Sequence, residues 1–288
     1  MAPAEISHSV LITGCSTGIG RATAERLVKS GWKVTATARR VETIKDLGEA
    51  GARILPLDVT DEASMAGAVA QVEKEDGAVG VLINNAGYGL QGPFEEFSMD
   101  EVRRQFETNV FGLVRMCQLV LPGMRRQRWG RIVNVSSIGG KLVFPGGSFY
   151  HGTKHAVEAI SDALRFEVRG FGVRVIIVEP GTVITEFGET ALSSLDADDT
   201  GPYAAFKEGL HSTVKGAYEG ALARLAISAD DVAAKIEKAI SARRPRTRYP
   251  VGAVARSGIA LKRVTPDRMF DMVLRSQFRS PEPPKNAS

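Results

Sequence analysis

Short β-branched and apolar runs alternate with helical patterns along the first two thirds of the chain. Ser9 to Thr13, Lys33 to Ala38, Ala52 to Leu57, Val79 to Asn84, Arg131 to Ser136 and Arg174 to Val178 read as strands. Several are apolar almost throughout, as strands buried on both faces are, and amphipathic helices fill the intervals. Parallel strands joined by right-handed helical crossovers predict an α/β fold: a doubly wound parallel sheet of Rossmann type in a three-layer αβα single domain.

Two long helices stand out. From about Met99 to Leu121, the residues Val102, Phe106, Val110, Leu113, Val114, Cys117 and Leu121 form one core-facing stripe, with Asn109 beside it. The second runs from about Phe149 to Arg169. Past Val178 the pattern loosens, and residues 182–225 mix Gly, Asp and Ser with scattered Leu192, Tyr203, Phe206 and Leu210, predicting a small helical substrate-binding cap. A helix over Ala229 to Ala242, opened by Asp230-Asp231, returns to the core. A short strand near Arg248 to Val251 closes the sheet, and the polar, Pro-rich residues 280–288 form a disordered tail.

With 288 residues and 43% hydrophobic content, the chain has material for one large core. The net charge is +4, and the basic residues are spread out except in 125–128 and 243–248. Neither run has interleaved aromatics, which argues against a nucleic-acid partner. The two cysteines, Cys15 and Cys117, have neither metal-ligand spacing nor a disulfide framework, so no metal and a reduced, cytoplasmic setting are expected. No apolar run approaches the length of about 18 to 20 residues that spans a bilayer, so no integral membrane span is expected. A hydrophobic helix in the C-terminal part leaves docking on a membrane surface open.

Candidate chemistry begins at Gly14-Cys15-Ser16-Thr17-Gly18-Ile19-Gly20, directly after the first strand and opening the first helix. Glycines there let the backbone turn tightly and approach a pyrophosphate, whose charge a helix N-terminus favours. At the end of the second strand stands Arg39-Arg40 where an acid would bind ribose hydroxyls. A guanidinium suits a 2′-phosphate, so NADP(H) is preferred, with NAD(H) as the alternative. Asp58-Val59 follows the third strand, where Asp58 meets the adenine or caps the helix beginning at Glu62.

Tyr150 and Lys154 lie four residues apart in a helical segment and therefore share a face. A phenol titrates near ~10, and a neighbouring ammonium lowers that value, which makes Tyr150 a candidate general acid/base. The spacing alone occurs by chance in many helices, so its company decides.

That company is Thr13 to Gly20, Asn84-Asn85-Ala86-Gly87, Asn109, Ser137, Tyr150, Lys154 and Pro180-Gly181-Thr182-Val183-Ile184-Thr185, in that order. The set resembles the short-chain dehydrogenase/reductase family in its single-domain NAD(P)-dependent branch, and the match covers roughly Ser9 to Thr185. The resemblance implies that Tyr150 exchanges a proton with the substrate oxygen while a hydride moves between nicotinamide and the carbon bearing that oxygen. Ser137 then hydrogen-bonds the same oxygen, Lys154 binds the nicotinamide ribose and depresses the Tyr150 pKa, and Asn109 holds a water linking Lys154 to solvent. Asn85-Ala86-Gly87, Pro180-Gly181, the Val183 backbone and Thr185 line the cofactor. Ser137 rather than Ser136 is chosen because it precedes Tyr150 by thirteen residues, as the family pattern asks, and because Ser136 points to the opposite side of a continuing strand.

Within the family, Arg39, Gly87-Tyr88-Gly89 and Ser137 to Gly140 with Pro145 are most similar to the 17β-hydroxysteroid and retinol dehydrogenases. Phe144, Phe149 and Phe187, with Tyr88, Leu90, Val143, Val183 and Phe206 around them, supply an apolar pocket suited to a lipophilic alcohol or ketone. Pairing of the two long helices implies a homodimer or homotetramer. A non-catalytic NADP(H)-sensing protein is the alternative, while epimerases and dehydratases using the same Tyr and Lys differ in glycine spacing and length.

Overall fold

The computed structural model describes residues 6–188, 201–219 and 224–278. Its strands are β1 (Val10–Ile12), β2 (Val34–Ala38), β3 (Arg53–Pro56), β4 (Val81–Asn84), β5 (Gly130–Val135), β6 (Val173–Pro180), β7 (Val183–Ile184), β8 (Ile227–Ser228) and β9 (Arg248–Val251). Seven form one all-parallel sheet in the order β3-β2-β1-β4-β5-β6-β9, and β7 pairs with β8 beside it. The helices are α1 (Gly18–Lys29), α2 (Lys45–Glu49), α3 (Glu62–Asp76), α4 (Met99–Phe106), α5 (Gly112–Arg126), α6 (Ser148–Val168), α7 (Ala204–Glu219), α8 (Ala229–Ser241), α9 (Ala253–Val264) and α10 (Asp267–Gln277). The architecture is the expected single-domain Rossmann-type sandwich.

Alternation along each strand divides the core into two layers. Val10 and Ile12 of β1, Val133 and Val135 of β5, and Ile176 and Val178 of β6 pack with Leu27, Val232 and Ile236 of α1 and α8. Leu11, Leu82, Ile132 and Val175 point the other way, onto Val72, Met116, Val120 and Val157 of α3, α5 and α6. Each buried large aliphatic contributes roughly 1.5–3 kcal/mol, so this double interface carries most of the driving force.

Two local expectations are corrected. The predicted helix from Met99 to Leu121 is interrupted by a π-helical turn over Glu107–Phe111, and α5 then runs on to Arg126 with Pro122 inside it. The cap of α3 is Asp61, whose carboxylate accepts from Ala63 N and Ser64 N, and not Asp58. Leu192 and the tail 280–288 fall outside the described residues, while β7 and α7 belong to the 182–225 segment.

Candidate active site

The order β2-β1-β4 makes the chain reverse its winding direction between β1 and β4, and a crevice opens there at the carboxyl ends of the strands. The glycine loop lies in it. Gly14 takes a positive φ of 74°, and a Cβ on Gly20 would stand 2.2 Å from the Gly14 oxygen and 2.4 Å from Asn85 Nδ2. Only a bare Cα fits at Gly20. The loop is laced to β4: Thr13 Oγ1 accepts from the N–H groups of Asn85 and Ala86, both at 3.0 Å, and Asn85 Nδ2 donates to the Thr13 and Gly14 oxygens at 3.0 and 2.9 Å. Gly18 faces Thr185, whose Cγ2 would be 3.3 Å from an added Cβ, and Gly181 N donates to Val251 O at 3.0 Å just past Pro180.

The N-terminus of α1 is bare. Thr17 makes no side-chain cap, and the first turn, with Ile19 and Gly20, carries no acidic residue. Four N–H groups and the positive end of the helix dipole are thus presented beside Ser16, an arrangement that fits a pyrophosphate. Cys15 does not compete chemically, since burial pushes its thiol up to about 12.

Arg39 lies exposed beyond the end of β2. Across the crevice, burial raises the Tyr88 phenol pKa, with the charges of Arg104 and Arg39 acting against that shift. Asp58 accepts from the Thr60 N–H and hydroxyl at 2.9 and 2.8 Å, and Val59 is buried under Gly112. A glycine cradle and an uncapped helix end together fit the pyrophosphate of a dinucleotide, with the Arg39 guanidinium exposed nearby.

Ser137, Tyr150, Lys154 and Asn109 gather at one corner. Lys154, only 7% exposed, donates from Nζ to the Val135 oxygen at 2.9 Å and sits 5.9 Å from the centre of the Tyr150 ring. Burial lowers the Lys154 pKa to about 8. It also pushes Tyr150 up to about 12, with the Ser137 hydroxyl pulling the other way. This differs from the expected depression of the phenol by its lysine. The ammonium is held by a strand-end carbonyl, 5.9 Å from the ring centre.

Ser137 Oγ accepts from Gly139 N at 3.0 Å on the Tyr150 side. Ser136 turns away toward Gly140 and Glu158, as strand alternation predicts. Asn109, 2% exposed in the π turn, accepts from Tyr88 N at 3.1 Å and donates to Tyr88 O and Thr153 Oγ1 at 2.8 and 3.1 Å. Its amide therefore pins the loop after β4 to α6. Gly87 lies between: a Cβ there would be 3.0 Å from Asn109 Oδ1 and 3.8 Å from Lys154 Nζ.

The wall beside Tyr150 is apolar. The Phe187 ring lies 5.4 Å from it, and Gly89 supports both, since an added Cβ would be 2.8 Å from Phe187 Cζ and 3.2 Å from Tyr150 Cδ2. Tyr218 of α7 packs on Gly188 and contributes to the raised Tyr150 pKa. Phe144 reaches the corner through His151, its ring 5.7 Å from that imidazole. Phe149 does not join them. One residue along the helix from Tyr150 turns its side chain by about 100°, and Phe149 stacks instead on Phe94 at 4.8 Å and meets Phe97 edge-on at 5.5 Å.

Two features had no place in the reading of the sequence. His151 is buried with its pKa drawn down to about 4 by desolvation, and its Nδ1 accepts from Phe144 N at 3.3 Å, so a neutral ring orders the loop before α6. Beneath the corner, Glu158 and Glu179 are buried beside the half-buried Arg248 and Lys141. Arg248 donates to Glu158 at 3.0 Å and to Asp162 at 2.7 Å, and Lys141 pairs with Glu158 at 2.7 Å. Burial and the Glu158 charge push Glu179 up to about 7. The available signs were Glu158 one turn after Lys154 and an acid next to Pro180 in an apolar strand.

Residues 8–195 match the family described as short chain dehydrogenase. A 3-ketodihydrosphingosine reductase of Bacteroides thetaiotaomicron is 37% identical over 268 residues, covering 92% of this chain and 96% of that protein. An NADPH-dependent 3-dehydrocapnine reductase of Ornithobacterium rhinotracheale is 32% identical over 272 residues, covering 91% and 94%. Among solved structures, a short-chain dehydrogenase from Streptomyces avermitilis superposes with a TM-score of 0.76 at 35% identity, covering 95% of each chain. Matching motifs, sheet order and relatives lead to one conclusion: the chain belongs to the short-chain dehydrogenase/reductase family and is an NAD(P)-using oxidoreductase of that type.

Proposed function

We propose that the protein is an NADP(H)-dependent oxidoreductase that interconverts a carbonyl and a secondary alcohol on a lipophilic, lipid-like substrate. The observation that carries this reading is the meeting of Ser137, Tyr150 and Lys154 beside the apolar wall of Phe187 and Tyr218. When bound, the nicotinamide supplies or takes the hydride. The chain's own residues do the rest. The Tyr150 phenol holds the proton that passes to or from the substrate oxygen, and Ser137 donates a hydrogen bond where charge develops on that oxygen. Lys154 offers its ammonium to the nicotinamide ribose and to the phenol, and Asn109 fixes the loop that walls the other side.

Arg39 is the group that selects the 2′-phosphate, supported by its exposure at the end of β2 and by the NADPH-dependent relative. Gly14, Ser16 to Gly20, Asp58, Val59, Asn85 to Gly87, Pro180, Gly181, Val183 and Thr185 complete the cofactor cleft. Residues 182–225 serve as the substrate cap; Leu210 of α7 against Gly146 and Lys207 against Glu96 at 2.5 Å support this. A lipid-like substrate is supported by the two relatives named for reductases of sphingosine- and capnine-type ketones. Phe111 and Phe166, 55% and 67% exposed on the two long helical stretches, support a homodimer or homotetramer. Among the described residues no helix is long and apolar enough to cross a membrane, and a cytoplasmic enzyme is the expectation.

The test is oxidation of NADPH or NADH, followed at the nicotinamide absorbance, with long-chain 3-keto amines and short water-soluble ketones. Faster turnover with NADPH and a lower KM for long chains are expected. Equal use of both nucleotides, or indifference to chain length, would contradict the reading.

A further inference from the structure

The C-terminal helices are poorly covered for their composition. Helix α10 buries none of its residues, and α9 buries only Ala255 and Ile259. Along the pair, Leu261, Val264, Met269, Met272 and Val273 are 56%, 79%, 54%, 61% and 44% exposed. Isolated exposed aliphatics are ordinary, but five on two consecutive short helices mark an interaction surface. An eleven-residue helix is also too short to be stable in water by itself, and α10 is held by Phe270 under the Lys262 ammonium at 4.6 Å and by Lys262 to Asp267 at 2.7 Å.

The charge around this stripe selects its partner. Arg256, Lys262, Arg263, Arg268 and Arg275 accompany Asp267 and Asp271, five cations to two carboxylates, so the 25 residues from Ala253 to Gln277 carry a net +3 in a chain whose total is +4. Two copies of such a segment brought together on a two-fold axis would oppose like charges. Apolar side chains rimmed by Lys and Arg are instead the chemistry of a helix lying in the interface of an anionic bilayer.

Position adds the second argument. Helix α9 packs against the turn that follows Ser137, because a Cβ on Gly258 would be 3.2 Å from both Ile138 and Leu142, and Ala255 lies on Gly181. The Gln277 oxygen of α10 accepts from Thr213 of α7 at 3.4 Å, and α7 also carries Tyr218 at the Tyr150 wall. The two exposed helices therefore lie on elements that build the corner around Ser137 and Tyr150.

We infer that the α9–α10 segment docks on the surface of an anionic lipid bilayer, bringing the apolar wall beside Tyr150 to a substrate that resides there. The inference rests on the lipid-like substrate proposed above, but its test does not depend on turnover. The full chain is pelleted with phosphatidylcholine vesicles, with and without phosphatidylglycerol as roughly one lipid in three. Binding should rise roughly tenfold or more with the anionic lipid and fall in high salt. Tyr150→Phe should bind as the unaltered chain does. Val264→Glu with Met272→Glu, and separately Arg268→Ser with Arg275→Ser, should each lower binding at least tenfold while leaving turnover of a short, water-soluble ketone unchanged. Absence of binding to anionic vesicles would overturn the inference even if long-chain ketones are reduced. So would undiminished binding by both double variants, or light scattering showing that the apolar pair of changes splits an oligomer, which would assign the stripe to a second copy.

Discussion

The Lys154 ammonium donates to the carbonyl oxygen of Val135 at 2.9 Å, so the last residue of β5 holds the buried charge that lies above the Tyr150 ring. Helix α6 supplies the side chains and the sheet supplies the anchor. Burial draws the Lys154 pKa down to about 8, so the ammonium loses its proton as the pH rises through that value.

The first prediction follows from that sign. The parameter kcat/KM for NADPH, which reports the free enzyme, should be level in the neutral range and decline above about pH 8. Lys154→Met should remove the break and lower kcat/KM roughly a hundredfold or more. A profile level to pH 10 in the unaltered protein would contradict the assignment.

The buried acids beneath the site make a stability prediction. Glu179, 2% exposed, has its pKa raised to about 7 from an ordinary 4.5. Native Glu179 thus keeps a proton that the unfolded chain releases, so its contribution is fully present below about pH 4.5 and is lost as the pH rises through about 7. Glu179→Gln should match the parent's melting temperature near pH 4.5 and exceed it near pH 8. Removing one of the two cations instead, as Arg248→Met, leaves Glu158 with Lys141 alone and should cost about 1–3 kcal/mol, seen as a lower denaturant midpoint.

The fold was legible from the sequence because strand burial on both faces writes apolar runs that need no tertiary knowledge. Every proposed strand appears, including β9, with ends shifted by a residue or two, because pairing at the sheet margin decides where a strand stops. The glycine loop and the Ser137, Tyr150 and Lys154 corner were legible because turn geometry and helix spacing constrain residue types locally. The π turn at Asn109 was not, since no residue of Glu107–Phe111 announces an extra residue per turn. Phe149 was misplaced because aromatic character says nothing of which neighbour a helix face meets. The raised Tyr150 pKa comes from burial, with the Ser137 hydroxyl acting against it, and spacing along the chain does not contain burial.

Asn109 gives a third prediction. Its side chain accepts from Tyr88 N and donates to Tyr88 O and Thr153, so Asn109→Ala leaves the Tyr88 N–H without its partner, while Gln105 still donates to Tyr88 O at 3.2 Å. A loss of roughly 2 kcal/mol is expected, lowering Tm by about 4–8 °C. The KM for NADPH should rise as the Gly87 loop loosens, and an unchanged melting temperature would remove Asn109 from this role.

Cofactor choice gives the fourth. Arg39→Ala should weaken NADPH binding roughly tenfold to a hundredfold, the value of charge-assisted hydrogen bonds to one phosphate, and leave NADH within about twofold. Equal losses for both nucleotides would show that Arg39 acts through the fold and not through the 2′-phosphate.

The most direct test of the central claim is single-turnover hydride transfer from bound NADPH to a long-chain 3-keto amine in Tyr150→Phe. The ring and its packing on Phe187 and Gly89 are kept, and only the phenol oxygen is lost. Transfer slowed by roughly a hundredfold or more, with the NADPH dissociation constant and melting temperature unchanged, is the predicted result. Transfer at the parent rate would contradict Tyr150 as the proton donor and with it the proposed reductase mechanism.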